Sequence, residues 1–300
     1  MKWNRAFSLI LSLTVVLGLL PLLATAAPSI NAQADKIEQA LLDKFAAEGT
    51  ADFIVRFTEQ ADLSPAYSMG WAERGEFVVN TLTAAAERSQ SRAKALLDGR
   101  GLRYQTFIAG NELYVWSGDL VAAQSLAALA EVELVRATRT FYVDPIVDES
   151  APAVPQGPDA LAWGITYTKA NQFWSAFGVQ GDGIVVANID TGVQWNHPAL
   201  DQAFKCGSNP SDPVCWADPS NVCGGSACDN NGHGTHTMGT MVADDDPSLT
   251  WQAGMAPNAT WIACKGCESS SCSDYALNTC ADWILQPGGS PANRPHVVNN

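Results

Sequence analysis

The run GIVVANID (Gly183–Asp190) constrains the fold more than any other segment. It is almost continuously apolar, which suits a strand buried on both faces of a parallel sheet rather than a half-exposed antiparallel one. It leads into Asp-Thr-Gly (Asp190–Gly192), so a carboxylate stands at the carboxyl end of a buried strand, where open α/β sheets place their ligands. Further on, NGHGTHTMGTMVA (Asn231–Ala243) places His233 at the start of a helix made largely of Gly234, Thr235, Gly239 and Ala243. Such small side chains let a helix lie close on a sheet. ATWIAC (Ala259–Cys264) predicts a second buried strand, Ser273–Leu285 a helix, and HVVNN (His296–Asn300) a strand cut short. Alternating strands and helices predict an open α/β sheet over 159–300.

The preceding region, 33–144, is cysteine-free and has a different pattern. Asp52–Phe57 reads as a strand. Arg74–Asp98 reads as a long helix with Val78, Leu82, Ala85, Ala93 and Leu96 on one face. Tyr104–Ile108 and Glu112–Trp116 read as a hairpin turning at Gly110-Asn111. Asp119 is placed to cap a helix reaching about Ala130, and Glu133–Val143 reads as a last strand. The order β-α-β-β-α-β is the split βαβ, or ferredoxin-like, α+β arrangement. That arrangement alone says little about function. The segment 145–158 (PIVDESAPAVPQGP) carries four prolines and no apolar face, as an exposed, protease-accessible linker does.

Residues 1–27 read as an export signal. Lys2 and Arg5 precede an uncharged run from Ala6 to Leu23, and Ala24-Thr25-Ala26 fits a small-residue cleavage site. The apolar run is slightly long, so an uncleaved anchor is the alternative; Pro21 favours cleavage, a secreted product and no stable membrane insertion. The eight cysteines all fall in the last third, as disulfides of an exported domain do. Cys267–Cys272 and Cys223–Cys228 are plausible local pairs, although spacing alone does not fix the connectivity. Cys264-x-x-Cys267 also fits a metal or redox site, but the other cysteines lack regular zinc-ligand spacing. A formal net charge of −14 argues against a nucleic-acid partner, since little basic surface is available to neutralise phosphates.

Asp190 and His233 together suggest chemistry. A carboxylate that accepts a hydrogen bond from an imidazole fixes its tautomer and stabilises the imidazolium formed when the ring deprotonates a nucleophile. The runs NIDTGVQWNHPAL, DNNGHGTHTMGTMV, GMAPNATWIACK and HVVNN resemble the subtilisin-like serine proteases, the subtilase family, and within it the bacillopeptidase F type. The resemblance covers Ala160–Asn300 closely. More loosely, 33–144 is similar to the inhibitory, folding-assisting propeptides of these enzymes, which implies an intramolecular propeptide partner. It implies an N-terminal part of a subtilisin-like parallel-sheet catalytic domain, a polypeptide substrate, Asp190 as orienting acid and His233 as general base, and no cofactor for the chemistry. His236 matches a second family histidine, usually packed against the core. Ala199 stands where several relatives carry a calcium-binding Asp, so the family's structural calcium has no support here. The family's nucleophilic Ser and oxyanion-hole Asn belong further along than Asn300. Ser226 and Ser269 to Ser271 lack the strand-to-helix setting of a nucleophile. These 300 residues are therefore expected to be inactive alone.

Three other readings compete. Asp-Thr-Gly is also the aspartic-protease motif, but that chemistry needs two carboxylates sharing a proton, and the motif occurs once. A metal hydrolase on His233 and His236 lacks the intervening Glu of the HExxH pattern. A non-catalytic protease inhibitor would use 33–144 alone.

Overall fold

The computed structural model describes residues 35–144, 160–244 and 251–300. The expected signal (1–27) and linker (145–158) lie outside the described residues. In chain order the first unit contains α1 (Gln39–Glu48), β1 (Thr50–Phe57), α2 (Trp71–Gly99), β2 (Tyr104–Phe107), β3 (Glu112–Asp119), α3 (Leu120–Ala127), β4 (Val132–Ala137) and β5 (Thr140–Tyr142). The first four strands form one antiparallel sheet in the order β2-β3-β1-β4.

Alternation along β1 sends Phe53, Val55 and Phe57 into a core with Leu41 and Phe45 of α1, Ala93 and Leu97 of α2, and Leu126 of α3. Ile54 points the other way, into a small cluster with Phe107 and Tyr114 against which Tyr275 of the second unit packs. Both faces of the sheet are therefore covered, one by its own helices and one by its neighbour. Asp119 caps α3, its Oδ1 accepting from the Ala122 amide at 2.7 Å. The sequence reading omitted α1, although Ile37, Leu41 and Phe45 recur at four-residue spacing and Gly49, at φ 79°, ends the helix. It also ran the last strand from Glu133 to Val143. The chain instead breaks after Ala137, where Asp274 takes the Arg139 amide at 2.6 Å, and β5 leaves the sheet.

The second unit contains β6 (Ala160–Leu161), α4 (Trp163–Thr168), α5 (Ala170–Phe177), β7 (Val185–Asp190), β8 (Trp216–Ala217), α6 (His233–Val242), β9 (Trp251–Gln252), β10 (Thr260–Lys265), β11 (Ser271–Ser273), α7 (Asp274–Leu285) and β12 (Val297–Asn299). The main sheet is parallel throughout, ordered β12-β7-β10-β8. The chain is thus mixed α/β with a parallel sheet. Val186 and Ala187 of β7, Trp261 and Ile262 of β10, and Met238 and Val242 of α6 share its core. Ser273 caps α7, accepting from the Ala276 amide. The short helices α4 and α5 escaped the sequence reading, although Phe173, Trp174 and Phe177 share one face of α5; none of its side chains is fully buried.

Four disulfides link Cys206 to Cys215, Cys223 to Cys228, Cys264 to Cys280 and Cys267 to Cys272. Cys264 and Cys267 therefore serve different bridges and do not form a metal or dithiol pair. Two bridges clamp the long segment between β7 and α6, which donates β8 to the sheet edge.

The units meet along α7. Buried Arg136 pairs with Asp274 at 2.6 Å and approaches Glu112 at 3.8 Å. Asp282 accepts from the Ile108 amide at 3.0 Å and the Ala109 amide at 2.8 Å. Finally, β5 pairs antiparallel with β11, Phe141 opposite Cys272.

Candidate active site

Asp190 is the last residue of β7 and is almost fully buried. Its Oδ1 accepts from the Thr191 amide at 2.6 Å, and its Oδ2 from the Thr237 hydroxyl at 3.1 Å. The remaining capacity faces His233, whose Nδ1 lies 2.7 Å from Oδ1 and 2.9 Å from Oδ2. This geometry favours the tautomer with its proton on Nδ1 and leaves Nε2 as the basic nitrogen. The His233 side chain is 30% exposed, so the ring reaches solvent on the side away from Asp190.

Close backbone approach makes this contact possible. Gly192 takes φ 103°, a conformation that favours glycine. Gly234 rests on it: a Cβ at 234 would collide with the Gly192 carbonyl oxygen. Asn188, buried within β7, donates its amide to the Gly234 carbonyl at 3.1 Å and to the Thr237 hydroxyl at 2.9 Å. It accepts in turn from Asn299 of β12 at 2.9 Å.

Two groups absent from the sequence reading complete the corner. The first is Asp229, which opens the run DNNGHGTHTMGTMV and accepts from the Thr191 hydroxyl at 2.9 Å. Asp229 also takes the Gly232 amide at 2.9 Å, the Thr235 amide at 2.9 Å and the Thr235 hydroxyl at 2.6 Å. Burial alone would raise its pKa, but these donors outweigh burial and hold it below its ordinary value. Thr191 links both sides, since its hydroxyl also accepts from the Gly234 amide at 2.9 Å. The second group is Lys265, the last residue of β10 and the register partner of Asp190. It is fully buried, and its Nζ donates to the Thr191 carbonyl and, at 2.7 Å, to Asn230 Oδ1. Burial lowers its pKa, opposed by the charges of Asp229, Asp218, Glu268 and Asp190. The Asp-Asn-Asn-Gly turn before His233 was the only signal for Asp229; for Lys265, a lysine ending an otherwise apolar strand was the signal.

The other sequence candidates lie apart from this network. His236 is exposed, not packed in the core. Ala199 is buried among the apolar residues of the second core. Among the described residues, no group of three or more His, Cys, Asp or Glu side chains is placed to hold a metal ion. Ser271 lies in β11 and Ser269 and Ser270 just before it.

Residues 181–300 match the model of the subtilase family, Peptidase_S8. Over those residues the chain is similar to the subtilase family. It is 29% identical to bacillopeptidase F of Bacillus subtilis over 99% of its own length, covering 24% of that protein. It is 34% identical to the major intracellular serine protease of the same organism, over 46% of this chain and 43% of that one. It therefore spans less than half the length of either relative. Among solved structures, it is similar to the epidermin leader peptide processing serine protease of Staphylococcus aureus, at a TM-score of 0.47 and 16% identity, over 78% of this chain and 46% of that one.

Proposed function

We propose that this chain is the precursor part of a secreted serine endopeptidase whose triad pairs Asp190 and His233 with a serine outside residues 1–300. The observation that carries this reading is the His233 Nδ1 to Asp190 contact at 2.7 Å, at the carboxyl end of a buried parallel strand. In the proposed reaction the serine Oγ bonds to a peptide carbonyl carbon while its proton passes to His233 Nε2. The same proton then goes to the leaving amine as the C–N bond breaks, and Asp190 steadies the imidazolium between the two steps. The chemistry requires no metal. Without a nucleophile the 300 residues do not hydrolyse peptides.

In this reading, 1–27 is a signal peptide, 33–144 a ferredoxin-like propeptide, 145–158 a cleavable linker and 159–300 the first part of the catalytic domain. Two observations support the propeptide. The first unit spans α7 with a buried ion pair, and its final segment, β5, lies as an extended peptide along β11. The loop leading to β11 is tied to the site, because the Cys267 amide donates to the Asp190 carbonyl at 3.0 Å. Export fits the four disulfides.

A fluorophosphonate probe tests this directly. The longer protein labels on one serine after the first unit is removed, and His233→Ala abolishes labelling. Peptide hydrolysis that persists without any labelled serine overturns the proposal. A longer protein that never labels, while isolated 33–144 still inhibits a mature subtilase, would establish the non-catalytic inhibitor instead.

A further inference from the structure

We infer that Lys265 is a positioning residue that holds the Asp190 strand end and the His233 turn in one arrangement; this rests on the hydrolytic reading of that pair. Burying an ammonium costs several kcal/mol unless hydrogen bonds and opposite charges compensate, so an apolar strand end would be the cheaper choice here. The two acceptors of Lys265 belong to the two segments that must meet. The Thr191 carbonyl directly follows Asp190. Asn230 lies in the turn where the Asn231 side chain accepts from the His233 amide at 3.2 Å. Asn230 is itself steadied by donating to the Glu268 carbonyl at 2.9 Å, beyond the end of β10. Neither β7 nor α6 fixes the other's register by apolar packing alone at this corner, since the contacting residues are Gly192 and Gly234. The ammonium adds a buried charged link to the neutral ones that Thr191 and Asn188 already make across this corner. Lys265 touches neither His233 nor a reacting atom, so it acts through the pair.

The test is NMR of the 300-residue chain with labelled histidine, reading the His233 Nδ1 proton, which hydrogen bonding to Asp190 shifts strongly downfield. Lys265→Met is expected to lose that resonance or move it upfield. Asn230→Ala, which keeps the ammonium but removes one anchor, is expected to produce a smaller upfield shift. Ile262→Val, a core truncation in the same strand, is expected to leave it in place. A folded Lys265→Met chain with an unchanged resonance overturns the inference, and so does an Ile262→Val chain that loses it equally. If Lys265→Met does not fold, an unmoved resonance in Asn230→Ala overturns it. Hydrolysis by the longer protein is a separate readout. If its turnover does not depend on Asp190, the protease reading falls whatever the resonance does; if it does depend on Asp190 and the resonance ignores Lys265, only the Lys265 assignment falls.

Discussion

The seam along α7 and the corner at the end of β7 are both built on buried carboxylates, yet they differ in their partners. At the seam, Asp274 meets the Arg136 guanidinium and Asp282 meets two backbone amides. Neither partner changes protonation in the accessible pH range, so these contacts only hold. At the corner, Asp190 meets an imidazole, the one side chain whose ordinary titration lies near neutrality. One arrangement fastens two units; the other is suited to moving a proton. The same residue type does both, and the partner decides which.

The comparison is broken most severely at the corner. Asp190→Asn in the longer protein should lower turnover about 10^4-fold, because an amide favours the wrong tautomer of His233. Steady-state kinetics on a peptide substrate check this, with thermal melts confirming that the fold survives. At the seam, Asp274→Ala strands a buried guanidinium and should cost about 3 kcal/mol in urea unfolding. Its effect on turnover, once the first unit is removed, should be slight. Gly234→Ala drives a methyl group into the Gly192 carbonyl and should cost roughly 1–3 kcal/mol, moving α6 off β7 and weakening the His233 contact.

The smallest expected effects sharpen the contrast through pH. Burial raises the Asp282 pKa more than its two amide donors lower it. A carboxylate with a raised folded pKa binds its proton more tightly when folded. Its contribution to stability therefore grows as pH falls from that raised value towards the ordinary carboxylate pKa. Asp229 is shifted down, so its contribution is full above the ordinary value and is lost as pH falls through its own. Urea unfolding across the acid range should lose the first trend in Asp282→Asn and the second in Asp229→Asn.

Of the corner, Asp190 and His233 were legible in sequence because each stands inside a run with strong local character. GIVVANID has the composition of a doubly buried strand, and HGTHTMGTMV that of a close-packed helix. In the first unit β1, α2, the β2–β3 hairpin and α3 were legible for the same reason. What was not legible depends on contacts between distant segments. Nothing in the periodicity of Glu133–Val143 shows that its last residues pair with β11, because that edge is supplied by the other unit. Asp229 looked like one acid in a polar loop until five donors converged on it. Lys265 stands just past the strand expected over Ala259–Cys264 and was not singled out, because its partners, the Thr191 carbonyl and Asn230, are distant in sequence.

The central claim is that Asp190 and His233 act as one proton-handling unit. A double-mutant cycle in the longer protein, measuring turnover for Asp190→Asn, His233→Ala and the combination, tests it most directly. The account predicts that the double variant is no slower than His233→Ala alone, because Asp190 has no role once the ring is gone. If the two losses multiply, the residues act independently and the account is contradicted.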